Sequence, residues 1–600
     1  MSTQSDLELL RAYEPVLVYT RGELFFPADV DAYVRCCSLW CEDRDGKEVE
    51  VVPAGELTLD RLATAEQEWP GRYKHLRFVQ AASLRAEARR HRRSARRVIP
   101  RSGRLAAVGV LGRVVDILMK LSLLIRGAVP GGVAAAAATR YRDRVHIDGT
   151  ASYYGRVVRE GGYIALQYWY FYAMNDWRST YGGVNDHEAD WEKVTVYVVE
   201  DSEGRTRPMW VGASSHEYFG DDLRRSWDDP DLRREGDHPV IFVGAGSHSH
   251  QMLPGDYLIQ VDPAVLRWVV RAWRWVGERI FRSDSQFVRH GIGVPFVDYA
   301  RGDGVRVGPG GERTWTAHVI DDDTPWVRGF RGLWGRDTGD FFEGERAPSG
   351  PRYERDGTIR WSWADPLAWV GLQKVPPTEA AARVQLAAHL GDLEERIREA
   401  DADILRRRDA LRRLTAARLV LGHDAHSQSR AQEYDARIRA DEKELSAAYR
   451  RRAMMSDERD SCRAALDGEV PVAPSPTEHL RAPHLPYATG QQRTTRFLHV
   501  WAALSTPLLI CALGAMLFLQ GTYTAPAMIG VVLVFAMVDA MARRKLMPFL
   551  TGLAVLVLAV GVVAGIIAAF AADWRIALLV PTGVVVAILL WVNVRDLIRG

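Results

Sequence analysis

Four apolar runs close this sequence, at 497–519, 525–541, 548–571 and 576–594. Each is near the roughly 17–25 residues that an α-helix needs to cross the hydrocarbon layer of a bilayer. Inside that layer the backbone must satisfy its own hydrogen bonds, which selects helices. The pattern predicts four closely spaced C-terminal transmembrane helices, with the rest of the 600-residue chain folded ahead of them. Arg493, Arg496, Arg543, Arg544, Lys545, Arg595 and Arg599 mark alternate loops, while 520–524 and 572–575 are nearly neutral. By the positive-inside rule, the chain is expected in the plasma (inner) membrane as a multi-pass protein with both termini cytoplasmic. Asp539 lies near the basic loop and no charge relay crosses the spans, so an anchor is favoured over a pump.

Upstream the composition is that of a folded chain: 47% hydrophobic, with 19 Trp. The net charge of +2 excludes little. Arg far outnumbers Lys, but no nucleic-acid-binding motif accompanies the Arg runs, and no nucleic acid is expected. The five cysteines, Cys36, Cys37, Cys41, Cys462 and Cys511, form no regular framework, which fits reduced thiols. The opening MSTQSDLELLRAYEPV lacks a basic segment followed by an apolar one, so no cleavable signal peptide is expected.

Residues 378–466 carry apolar positions at three-four spacing, from Leu390 to Leu421 and from Ala431 to Met455, broken by Gly422-His423-Asp424. This predicts a helical hairpin or coiled coil, followed by a linker at 467–495 and the membrane anchor at 496–594. Two basic apolar segments interrupt the N-terminal region. In the insert 83–139, Arg113, Asp116 and Lys120 form one polar stripe on an apolar helix, which suits membrane contact. In 264–282, Trp268 and Trp273 share an apolar face while Arg267, Arg271 and Arg274 lie elsewhere. Such a helix suits an anionic leaflet, but packing on its own domain with the arginines solvated is the favoured reading.

Residues 161–257 hold the most specific chemistry. GGYIALQYWYFY and HEADWEKVTVYVVED read as strands, as do WVGASSHEYF and PVIFVGAGSHSHQ, each of which ends in Ser and His. Asp176, His187, Asp190, Glu192, His216, His248 and His250 then fall near strand ends, which can converge at one rim of a β-sandwich. On a strand the i, i+2 spacing of Asp190 and Glu192 puts both carboxylates on one face. With His187 they suit an oxygen-favouring divalent cation, calcium, magnesium or manganese. A hydrogen-bonded corner with Trp191 in the core is the competing reading. His216, Ser247, His248 and His250 make a second polar group, best explained by hydrogen bonding at strand ends. Neighbouring Ser and His on a strand point apart, and no GxSxG, P-loop or HExxH motif occurs, so an enzyme is disfavoured.

Five pieces, YEPVLVYTRGELFFPADVDAYV, IALQYWYFYAMND, HEADWEKVTVYV, VIFVGAGSHSHQMLPGDY and FRGLWGRDTGDFFEGERAPSGPRY, resemble in order the vacuolar protein sorting sixty-two family. They span about 13–353. More distantly, DHEADWE is similar to the GHRHDWE heptapeptide of the necrosis- and ethylene-inducing-like cytolysins. That resemblance implies a β-sandwich and a divalent metal held by Asp176, His187, Asp190 and Glu192. The chain departs from the heptapeptide at Asp186, Glu188 and Ala189, which puts a toxin role in doubt.

The expected architecture is therefore multidomain. A mainly-β sandwich occupies 1–372 with a helical insert, followed by the helical hairpin and the four-span anchor. The expected function is a membrane-anchored, cytoplasm-facing binding module for a polar headgroup, glycan or protein partner, aided by a divalent cation. Its partners would be the bilayer and anionic lipid headgroups or a protein. A metal-dependent hydrolase acting on a membrane-derived substrate and a structural or trafficking scaffold are the alternatives.

Overall fold

The computed structural model describes residues 5–42, 47–80, 84–94, 113–114, 117, 132–177, 186–201, 203–215, 223–261, 294–336, 347–421, 427–468, 485–486, 496–518, 523–542 and scattered positions between 546 and 568. The chain divides into two compact units. The first holds 1–99, 123–293 and 298–487, and the second holds 100–122, 294–297 and 488–600.

The first unit is built on β1 (Val16–Val18), β2 (Thr150–Glu160), β3 (Tyr163–Asn175), β4 (His187–Glu200), β5 (Thr206–Ala213), β6 (His238–Val243), β7 (Arg306–Val307) and β8 (Thr314–Val319). Gly161 and Gly162, both at positive φ, close the two-residue turn between β2 and β3, where Glu160 faces Tyr163. A tight hairpin of this kind needs positive φ at both central positions, which glycine adopts without strain. The large sheet runs β8-β2-β3-β4-β5 and ends on the short strand Arg225–Ser226. A second sheet places β6 beside β1 and β1 beside β7, with Arg234–Glu235 and His250–Gln251 both pairing with β6.

Between the two sheets lies one apolar core, including Leu17, Tyr168, Tyr170, Val194, Val196, Val211, Ile241 and Val243. The opposite face of the large sheet is covered by helices and by a small sheet of Ser38–Glu42, Glu48–Val52 and Lys74–Arg77. There Phe171, Trp191, Trp326 and Trp334 pack with Tyr33, Leu62 and the Ala-rich helix Gly132–Arg144. Covered on both sides, β3 is buried along its whole length and β4 along all but its last residue. That explains their unbroken apolar and aromatic runs, which are typical of central strands.

The expected mainly-β sandwich is corrected in two respects. The sheets are mixed: β1 runs parallel to β6 and β8 parallel to β2, while the other pairings of β1 to β8 are antiparallel. Twelve helices also stand among the described elements, several of them covering a sheet face. Ala134–Ala138, the end of the predicted insert, are buried in that packing, because Ala lets a helix approach closely.

Helices Glu379–Val420 and Gln428–Leu466 pack against each other. They bury Leu393, Ile397, Ile404, Ala431, Ala448 and Cys462, and Arg452–Asp401, Arg463–Glu394 and Arg418–Asp435 pair across them.

The four C-terminal transmembrane helices are also corrected. Among the described residues, one helix, Thr524–Ala542, is long and apolar enough to cross a bilayer. In Arg496–Phe518 the qualifying apolar stretch is only Leu504–Met516, and Pro507 lies inside the helix. The runs at 548–571 and 576–594 fall almost wholly outside the described residues. The multi-pass placement with both termini cytoplasmic rested on four spans and falls with them, since a single apolar helix fixes no such topology.

Within the second unit, Arg113 is buried and its guanidinium reaches Asp539 Oδ1 at 2.7 Å, Ser505 Oγ at 2.9 Å and Thr506 Oγ1 at 3.2 Å. Trp501 Nε1 donates to the same Asp539 oxygen at 3.2 Å. Arg113, expected at a membrane surface, lies at the centre of this buried polar cluster. Lys120, Trp268 and Trp273 lie outside the described residues.

Candidate polar site of the first unit

In the register of β3 and β4, Asp190 lies opposite Tyr172 and Glu192 opposite Tyr170. Both carboxylates share a face with Val194 and Val196, while Trp191 turns into the other core. Ala189, within β4 just before them, holds φ at 60°. A non-glycine residue in the left-handed region costs energy that tertiary contacts must offset.

The turn after β6 brings the second group. Its backbone closes on itself, with the Gly244 amide donating to Ser249 O and the His248 amide to Gly244 O. It is tied to β3 by the Asp176 amide donating to Gly246 O and to β5 by the His250 amide donating to Ser214 O. His248, also at positive φ (55°), lies flat on Tyr172 with ring centroids 3.8 Å apart. Its Nδ1 meets Asp190 Oδ2 at 3.0 Å, and Asn175 Nδ2 donates to that oxygen at 3.3 Å. On the far side, Glu23 Oε1 stands 4.0 Å from His248 Nε2. Glu23 is fixed by backbone donors, Leu24 and Phe25 to Oε1 and Gly246 to Oε2. His248 is thus a fully buried imidazole set between two carboxylates.

The remaining groups are spoken for differently. Ser247 and Ser249 donate their hydroxyls to buried Asp298, and Ser214 donates to Glu192. His187 Nδ1 bonds Ala189 O at 2.7 Å, and His250 Nδ1 bonds Lys193 O at 3.1 Å. Burial pushes the His250 pKa down to about 4, which keeps the ring neutral. Burial likewise pushes Lys193 well below the usual lysine range, with its Nζ 3.0 Å from the ring centre of Trp369. Glu188 faces the other way and accepts the amides of Phe78, Val79 and Arg336; burial raises its pKa and those donors oppose the rise.

Asp190, Ser247, His248 and His250 are therefore gathered in one buried region, with Glu192 joined to it through Ser214. Asp176 contributes its backbone, and its side chain is half-buried. His216 lies outside the described residues. Glu23, Asn175, Ser249 and Asp298 are the partners that sequence reasoning passed over. Glu23 left one trace, a lone acid in the apolar run ELFFPA. The others needed the pairing of distant strands and turns to acquire a meaning.

Chemically, the histidines share a pattern. Each commits Nδ1 to an oxygen, while Nε2 of His187, His248 and His250 is buried without a hydrogen-bond partner among the described residues. Fixing one ring nitrogen on an oxygen presents the other as a lone pair, the arrangement used by metal-binding histidines. Among the described residues, however, no three His, Cys, Asp or Glu side chains converge as a ready ligand set. The hydroxyls of Ser214, Ser247 and Ser249 point to carboxylates rather than to an imidazole, so these three form no nucleophile–base pair among the described residues.

No protein-family model and no curated protein matches the sequence. Among solved structures, the chain is partly similar to Necrosis and Ethylene inducing Protein 2 from the causal agent of cocoa's witches' broom disease. The identity is 22%, over 17% of this chain and 43% of that one, with a TM-score of 0.14. NLPPya in complex with glucosamine matches at 20% identity over the same shares, with a TM-score of 0.13. The non-toxic HaNLP3 protein matches at 17% identity over 15% and 39%, also with a TM-score of 0.13. The chain spans less than half the length of each of these. The likeness to necrosis- and ethylene-inducing-like proteins is weak and partial, and nothing in the comparisons supports the vacuolar protein sorting resemblance.

Proposed function

We propose that the first unit is a binding module, rather than a catalyst, that takes a polar ligand with the help of a divalent cation. The observation that carries this reading is the state of His187, with Nδ1 anchored on Ala189 O and Nε2 buried without a hydrogen-bond partner among the described residues. Buried polar atoms without partners are costly, and a bound ion is one way to satisfy them. Asp176, His187, Asp190 and Glu192 would supply the cation's ligands, and their oxygen-rich set favours calcium, magnesium or manganese. The apolar helix Thr524–Ala542 supports attachment of the chain to a bilayer.

Calorimetry on the full chain in detergent, titrated separately with calcium, magnesium and manganese chlorides, tests the reading. Saturable heat that disappears in Asp190→Ala, with the far-UV circular dichroism retained, is the expected result. No heat, or heat that Asp190→Ala leaves unchanged, removes the cation.

A second reading is favoured by the bonds of Asp190 to His248 and Asn175: the corner only fastens the turn after β6 to the central strands. Asp190→Ala would then lower the melting temperature equally with and without added cation.

A further inference from the structure

The outer face of the second sheet, away from the core between the sheets, carries a separate feature. Val16, Val18, Val240 and Phe242 lie on that face and are buried there with Tyr257 and Ala300. Beside them lies a cavity of about 460 Å³, lined in part by Val18, Phe242, Arg233, Arg234, Glu235 and Arg306. Its volume falls within the range of small-molecule sites, about 300–1,000 Å³. Three arginines and one glutamate are among its lining residues.

The three are held in different ways. Arg306 pairs with Glu235, which presents its guanidinium at the wall. Arg234 lies over Trp227, with Asp228, itself largely exposed, 3.7 Å away. The Arg233 guanidinium lies over the Phe242 ring, 5.2 Å from its centre, and makes no ion pair among the described residues. A guanidinium resting on an aromatic face keeps its in-plane N–H donors available. The floor is tight: a Cβ on Gly302, at φ 66, would meet Phe242 Cδ1 at 2.5 Å. Glycine there lets the 302 backbone approach the ring closely.

We propose that this cavity is a binding site for a phosphomonoester, with Arg233 and Arg306 as the principal contacts and Arg234 beside them. Forked N–H donors match the paired oxygens of a phosphate, and two or more guanidinium groups balance its double charge. Glu235 then acts as a displaceable counter-ion: the phosphate competes for Arg306. This site is independent of the acid–imidazole region and needs no divalent cation.

The test uses the full chain in detergent, titrated calorimetrically with inorganic phosphate and with glycerol 3-phosphate in the presence of a chelator. Wild type is expected to bind saturably and to weaken with added salt. Arg233→Ala and Arg306→Ala should each weaken binding by about tenfold or more, as expected for loss of one charge-assisted contact. Arg233→Lys should not restore it, because a lysine has no fork. Arg233 is exposed, so its variants should keep the wild-type circular dichroism. A second arm compares binding to phosphatidylcholine vesicles with and without phosphatidic acid. Vesicle binding that depends on phosphatidic acid and is lost in Arg233→Ala/Arg306→Ala assigns a lipid source. Binding of the soluble ester without it assigns a free one. If neither probe binds, or if the double variant binds as wild type does, the proposal is overturned.

Discussion

His250 shows how the interior sets chemistry one residue at a time. In the unfolded chain its imidazole titrates near 6.5; in the fold burial lowers that to about 4. The unfolded state therefore takes up a proton that the native state refuses. Stability is full above about pH 6.5, falls as the pH drops, and stops falling below about pH 4. The loss expected from this one residue is about 3 kcal/mol, at 1.36 kcal/mol per unit. Thermal melting across that window should show the decline, and His250→Gln should flatten it; an unchanged slope would remove the assignment. The neighbouring candidates divide by what their side chains touch. Asp190 and His248 were legible as members of two separate polar groups because each stands out at an apolar strand end; their contact was not. Glu23 and Asp298 were not, because one acid among apolar residues has no meaning until the fold brings its donors to it.

At the scale of elements, apolar spacing was a sound guide where an element stands alone and a poorer one where it is covered twice. The hairpin of Glu379–Val420 and Gln428–Leu466 buries a narrow stripe and exposes the rest, so its periodicity is plain in the residue order. Its energetics should follow the stripe rather than the ion pairs. Ile397→Ala is expected to cost about 2–5 kcal/mol. Asp401→Asn, which breaks the half-exposed pair with Arg452, should cost no more than about 1 kcal/mol. Urea unfolding of the full chain monitored at the helical signal distinguishes the two; equal effects would contradict this ranking. β3 and β4 were recognisable as strands by their aromatic and β-branched content. Whether a partner strand runs parallel or antiparallel depends on connections the local pattern does not encode, and so the mixed pairing of β1 with β6 and β8 with β2 was not foreseen.

Across the whole molecule, the apolar C-terminal region read as four spans, whereas the described structure supports one. Hydropathy counts residues, but a polar side chain can be satisfied inside a helical packing, and Arg113 with Asp539 is that case. Removing one member, in Asp539→Ala, should leave a buried guanidinium uncompensated and cost about 3–5 kcal/mol. Arg113→Leu/Asp539→Leu should recover much of the loss, because the pair vanishes together. Thermal stability in detergent checks both, and a double variant as unstable as the single one would count against the pairing. By itself the sequence determined where the chain is apolar, that strands lie in 161–200 and a helical hairpin in 378–466, and which acids and histidines stand out, since these follow from local propensity and spacing. Only the tertiary structure decided which strands pair, which face each carboxylate takes, and which distant residue satisfies it. Those outcomes come from contacts between segments hundreds of residues apart, and no local pattern carries them.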